Sequence, residues 1–297
     1  MSLAYTHQQL TDPRGQIRVL RVLPGPPNDD IVCTLEVVQR KSELKYIAVS
    51  YTWGEITPTE TISVNGKLLI VRRNCFFALW QLRLHGFDLF IWIDSICIDQ
   101  SNNHEKSTQV RLMGLVYARA ELTTACIGEG LQLRAVASDI DKLDLSNESP
   151  SLIDPDRLIT AWRNLFSLAS KDYFNRLWIV QELYHSKEVA ILCGEDVVLW
   201  RDLGPFFLEV AEAASIFASH FKELPQDLTD LDDTQLARFI HFRKFRLAQI
   251  AVKTEWTDEI TGHGFTGVIL SFGEGKCFDP RDKIYGLLSL AQDRRWL

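Results

Sequence analysis

Apolar and polar positions divide the chain into three stretches: a β-rich opening, a middle where buried strands alternate with amphipathic helices, and a helical last third. Ile17–Leu23 and Ile31–Gln39 read as two strands flanking Pro24-Gly-Pro-Pro-Asn-Asp-Asp30, a run of turn-forming residues, which together make an N-terminal β-hairpin. Tyr46-Ile-Ala-Val-Ser-Tyr51 is short and mostly apolar, as a strand covered on both faces must be. Thr61–Val71 reads as a second hairpin, with Asn65-Gly66 as a type I′ turn. Asn74–Leu84 carries Phe77, Trp80 and Leu84 at helical spacing.

Leu89-Phe-Ile-Trp-Ile-Asp94 is the second buried strand, and Ser95–Gln100 after it reads as a loop. Asn102 or Asn103 is placed to cap a helix over Glu105–Ala120. Leu122–Ile127 supplies a third strand. Glu129–Pro155, rich in Asp, Ser, Asn and Pro, reads as a long excursion. Helices over Arg157–Ser170 and Phe174–His185 precede a fourth strand at Val189–Cys193. Strands alternating with helices predict an α/β layer fold with a parallel sheet. Past Trp200 the pattern is helical over Asp202–Leu224, Asp233–Lys253, Phe265–Phe272 and Lys283–Ala291. The expected organisation is an α/β domain over 1–200 and a helical region over 201–297 that packs on it or completes it.

Composition narrows the class of protein. The 297 residues are 46% hydrophobic and 24% charged, ordinary values for a globular chain. The formal net charge of −7 argues against nucleic acid or an anionic membrane as the main partner. No apolar run is long enough to cross a bilayer, and Met1–His7 has no secretory pattern. The six cysteines form no Cys-x-x-Cys pair and no metal-ligand spacing, so no metal is expected and a reducing, cytoplasmic setting is.

Candidate chemistry gathers in three places. The strand ends Ser50-Tyr51 (with Thr52-Trp53-Gly54) and Asp94 would share a rim if their strands are adjacent and parallel, and open α/β sheets bind ligands at that rim. Asp94 would serve equally well as a turn cap or ion-pair partner, and Trp53 as a packing indole. The helix Arg176-Leu-Trp-Ile-Val-Gln-Glu-Leu-Tyr-His185 sets Glu182 one turn after Trp178, with Gln181 and His185 on that face. Polar groups in so apolar a segment need partners or a ligand, and an ordinary ion pair would satisfy Glu182. Gly262-His-Gly-Phe-Thr-Gly267 fits a dinucleotide fingerprint in letters only, because the preceding Lys253–Thr261 is too polar for the required strand. The basic, Phe-interleaved run Arg238–Arg246 reads as a solvated helix face or a docking surface.

Three stretches in combination resemble the fungal heterokaryon-incompatibility (HET) domain: Tyr46-Ile-Ala-Val-Ser-Tyr-Thr-Trp-Gly54, Ile91-Trp-Ile-Asp-Ser-Ile-Cys-Ile-Asp-Gln100 and Arg176-Leu-Trp-Ile-Val-Gln-Glu182. Asp279-Pro-Arg-Asp-Lys-Ile-Tyr-Gly-Leu-Leu288 is similar to the region that follows the domain in such proteins. The resemblance implies a role in non-self recognition ending in cell death. The HET domain is in turn similar to TIR domains, which implies a flavodoxin-like sheet. It also implies cleavage of the nicotinamide–ribose bond of NAD⁺ by the glutamate of a Trp-x-x-x-Glu helix, here Glu182. On that resemblance NAD⁺ is a substrate and no cofactor is needed. Ser50, Tyr51, Trp53, Asp94, Trp178 and Gln181 are candidates to bind the substrate, and self-association on activation and other incompatibility proteins are implied as partners. The competing expectation is a non-enzymatic, self-assembling signalling module in which Glu182 is structural.

Overall fold

The computed structural model describes residues 4–141, 155–203, 268–269, 272–273 and 275–290. They fall into two compact units, Met1–Glu129 with His185–Val197, and Gly130–Tyr184 with Val198–Leu297.

The first unit is built on a mixed sheet. β1 (Gln16–Val22) and β2 (Val32–Gln39) pair antiparallel from Gln16↔Gln39 to Val22↔Cys33, as their alternation predicts. Arg83 holds the connecting turn by donating to the carbonyls of Pro27, Asp29 and Asp30. β3 (Tyr46–Tyr51) is buried at every position. The reason is its place between β6 (Phe90–Trp92) and β7 (Leu122–Cys126), both parallel to it. β4 (Thr59–Val64) and β5 (Lys67–Arg72) form the second hairpin. Its turn residues Asn65 and Gly66 have φ of 51° and 73°, the left-handed pair that a type I′ turn requires. The Asn65 amide also bonds both backbone groups of Leu35, which ties the hairpin to β2. β8 (Val189–Cys193) extends the parallel part beyond β7, and β9 (Asp196–Leu199) ends the sheet.

The full strand order is β5-β4-β2-β1-β6-β3-β7-β8-β9. The expected N-terminal hairpin is therefore part of the same sheet, joined through Leu20↔Ile91. Numbered in chain order, the four parallel strands lie 2-1-3-4 across the sheet. The helices of this unit are α1 (Arg73–Leu84), the single turn α2 (Asp94–Cys97) and α3 (Asn103–Arg119). Asn102, not Asn103, caps α3, its side chain accepting from the amides of His104 and Glu105. The strand expected over Leu89–Asp94 stops at Trp92, and the loop expected after it opens with α2. Asp94 turns the chain there, its carboxylate accepting from the Ser95 amide and its carbonyl from the Ile98 amide. Cys97 thus sits in a helical turn and not in a strand.

Arg18 and Glu105 form a fully buried bidentate pair beneath the sheet, at 2.6 and 3.0 Å. The guanidinium also donates to the carbonyls of Cys97 and Gln8, and Glu105 accepts from the Asp99 amide at 2.8 Å. A buried charge pair persists when its remaining polar positions are filled in this way.

The second unit holds α4 (Leu133–Asp141) and α5 (Pro155–Ala169). α4 lies where an irregular excursion was expected. The single helix expected over Phe174–His185 is two pieces, a 3₁₀ turn at Asp172–Asn175 and α6 (Ile179–Tyr184). The break has a long-range cause. Lys276 donates to the Asn175 carbonyl at 2.6 Å and accepts from the Leu177 amide at 3.0 Å, which pulls the chain between them into extended pairing. Gly275 permits the approach, since a Cβ there would lie 2.9 Å from the Leu177 Cα. α7 (Asp282–Leu288) follows within the expected Lys283–Ala291 helix. The remaining C-terminal helices, the Arg238–Arg246 run and the Gly262–Gly267 motif lie outside the described residues, apart from a few positions at helix ends.

Candidate functional site

The candidate residues fall into two groups, one in each unit. In the first unit, the adjacent, parallel strands β3 and β6 bring Ser50-Tyr51 and Asp94 to one rim, as expected. Ser50 and Tyr51 are themselves buried. Burial pushes the Tyr51 phenol well above its usual range, and it hydrogen-bonds Ser95 and Cys75. The Cys75 thiol, 3.4 Å from the Ser95 hydroxyl, is pushed up to about 12 by burial, so it is not a thiolate nucleophile.

Trp53 and Asp94 are bonded to each other. The indole N–H donates to the Asp94 carboxylate at 2.9 and 3.2 Å. The Arg72 guanidinium lies over the Trp53 ring, 5.2 Å from its centroid, and donates to the Gly54 carbonyl at 2.8 Å. Asn74 donates to the Thr52 carbonyl at 2.9 Å, and Gln100 to the Asp94 carbonyl at 3.0 Å. Gly54 has φ +70°, and a Cβ there would meet the Asn74 amide at 2.5 Å. The left-handed backbone favours glycine here, and any side chain would also have to displace the Asn74 amide. The stretches ending at Gly54 and Gln100 are thus interlocked by Trp53–Asp94. Arg72 and Asn74, which also hold them, went unremarked in the sequence. The available signal was weak: two polar residues at the close of a hairpin and the start of a helix.

In the second unit, α6 begins one residue after Trp178, whose carbonyl accepts the Glu182 amide at 3.2 Å. Trp178 and Glu182 therefore keep their one-turn relation, whereas His185 lies beyond the end of α6 and outside this unit. Glu182 is 2% exposed, and Arg176 approaches its carboxylate at 4.0 Å. The Trp178 indole donates to Asp282 at 3.1 Å, and Ser289 donates to the Gln181 carbonyl oxygen at 2.9 Å. Burial holds the Asp282 carboxyl above its ordinary range, and the Trp178 bond opposes that. Gln181 is also 2% exposed, and its Nε2 has no hydrogen-bond partner among the described residues. No group of three or more metal-ligating side chains occurs among the described residues.

Comparison with known proteins bears on both groups. The family model for "Heterokaryon incompatibility protein (HET)" matches residues 46–182, from the first residue of β3 to Glu182. Heterokaryon incompatibility protein 6, OR allele, of Neurospora crassa is 28% identical over 340 aligned residues, covering 98% of this chain and 49% of the relative. The chain thus spans about half the length of that relative. No solved structure matches. Both resemblances are to heterokaryon-incompatibility (HET) proteins, and the matched region, residues 46–182, holds the interlocked Tyr46–Gly54 and Ile91–Gln100 stretches and the Arg176–Glu182 turn.

Proposed function

We propose that the chain acts in fungal heterokaryon incompatibility as a cell-death effector, and that its chemistry is cleavage of the nicotinamide–ribose bond of NAD⁺ by Glu182. The observation that carries the reading is the Trp178–Glu182 turn: an indole one helical turn from a buried carboxylate, inside the matched family region. The 2-1-3-4 order of the parallel strands supports a TIR-like fold, because flavodoxin-like sheets run 2-1-3-4-5.

The chemistry suits one carboxylate. The nicotinamide ring is cationic in NAD⁺ and leaves the ribose as a neutral molecule, so no general acid is required, unlike the departure of an alcohol from a glycoside. Glu182 would stabilise the oxocarbenium-like charge at the anomeric carbon. Water then adds there and loses a proton, giving ADP-ribose. Trp178 would stack on the nicotinamide, with the carboxamide within reach of the Gln181 amide. Ser50, Tyr51, Trp53 and Asp94 remain proposed substrate-binding residues. Ser50 and Tyr51 are buried, and the half-buried Trp53 bonds Asp94 through its indole N–H.

The burial of Glu182 sets a condition. A guanidinium at 4.0 Å and 2% exposure keep the Glu182 carboxylate away from any substrate. The described arrangement is then a resting state. Activation, by self-association or an incompatibility partner, must free the carboxylate from Arg176 and expose it.

The same burial favours a second reading, a non-enzymatic assembly module in which Arg176–Glu182 simply stabilises α6. Nicotinamide release separates the two. Assembled protein incubated with NAD⁺ should release nicotinamide, and a folded Glu182→Ala variant should not. Equal release by both, or none from assembled wild-type protein, removes the enzymatic reading and leaves the module.

A further inference from the structure

We infer that the stretch 275–289, which lies outside the matched family region, is a working part of the Trp178–Glu182 site, with Asp282 and Ser289 as positioning residues. The inference rests on the reading of Glu182 as the catalytic group.

Four links join this stretch to the residues around Glu182. Two are backbone bonds from Lys276 to Asn175 and Leu177, close enough to require glycine at 275. Two are side-chain bonds, and both end on candidate site residues: Asp282 on the Trp178 indole at 3.1 Å, and Ser289 on the Gln181 amide oxygen at 2.9 Å. The partners are 104 and 108 residues apart in sequence. α7 also packs close to the indole, with a Cβ at Gly286 falling 3.5 Å from the Trp178 ring.

A helix docked only for stability needs apolar contact, which the buried Leu287 provides. Asp282 does something different. Its half-buried carboxylate accepts the indole N–H, a directional bond that holds the Trp178 ring in one orientation. Ser289 acts in the same way on Gln181. By occupying the amide oxygen it turns Nε2 away as a buried donor with no partner among the described residues. An orphaned buried donor is destabilising, and a ligand carbonyl would relieve it. The ligand class that fits is a planar aromatic carboxamide, with the ring on Trp178 and its carbonyl oxygen on Gln181.

The test compares Asp282→Leu, Asp282→Asn and Ser289→Ala with wild type in the full chain. The Trp178 indole N–H is followed by ¹⁵N NMR, assigned through Trp178→Phe, alongside steady-state nicotinamide release. Asp282→Leu should move the indole resonance and lower kcat roughly tenfold or more, the scale of a misplaced binding group, with Asp282→Asn restoring most of both. Ser289→Ala should raise KM more than it lowers kcat. An unmoved indole resonance overturns the proposal, as does a moved resonance with wild-type kcat and KM. Ser289→Ala, a mild change at a half-buried position, decides the matter if Asp282→Leu does not fold. Should Glu182→Gln retain activity, the catalytic reading fails separately, and the indole resonance still reports whether 275–289 holds Trp178.

Discussion

Arg18 and Glu105 show what one residue pair can hold in place. Glu105 lies below its ordinary carboxyl range because, although burial raises it, the Arg18 hydrogen bonds and the Asp99 amide outweigh that effect. A depressed carboxyl stabilises the fold at pH above its unfolded value, and that contribution is lost as pH falls through the folded value. Unfolding midpoints should therefore decline on acidification, and Glu105→Gln should flatten that decline. Glu105→Gln should also cost about 3–5 kcal/mol in denaturant unfolding at neutral pH, because it strands a buried guanidinium. Replacing both partners by apolar residues should cost less than either single change. Gly54→Ala should cost about 1–2 kcal/mol from its left-handed backbone alone, before the Asn74 clash. Residues are also where sequence reading was thinnest. Trp53 and Asp94 stood out as rim groups from their strand ends, but their mutual bond and the guanidinium over the indole depend on folding partners 41 and 19 positions away, which no local pattern encodes.

Elements were legible where their reason is local. The buried run Tyr46–Tyr51, the Asn65-Gly66 turn and the Asn102 cap each follow from a few adjacent residues, and each forms. Asn102→Ala should lower stability by about 1 kcal/mol in thermal or denaturant unfolding, since it unpairs two amides at the start of α3. Elements set by distant chain were misread. Helical spacing from Phe174 to His185 is genuine, yet Lys276 pairs with the backbone at 175 and 177 and breaks it. α4 was hidden in a segment whose composition reads as loop, because an amphipathic helix packs by its pattern and tolerates polar residues on its outer face. For the proposed chemistry the break matters more than the helix. It places Trp178 at the entrance of α6 with its indole turned to Asp282, a partner that helical periodicity does not foresee.

At the scale of the molecule, all six cysteines are free, and only Cys277 is more than slightly exposed. Burial pushes the thiols of Cys33, Cys75, Cys97 and Cys126 up to about 12. Thiol titration of native protein at neutral pH should thus show one fast-reacting group, Cys277, and six after unfolding; several fast groups would contradict the described core. No helix among the described residues is long and apolar enough to cross a membrane. The proposed route to killing is loss of NAD⁺ through Glu182. It is tested most directly by measuring cellular NAD⁺ and growth together in fungal cells induced to express the wild-type chain or a Glu182→Gln variant of matched abundance and melting temperature. Wild type should lower NAD⁺ before growth stops, and Glu182→Gln should do neither. Growth arrest by Glu182→Gln at wild-type strength, with NAD⁺ undiminished, would contradict it.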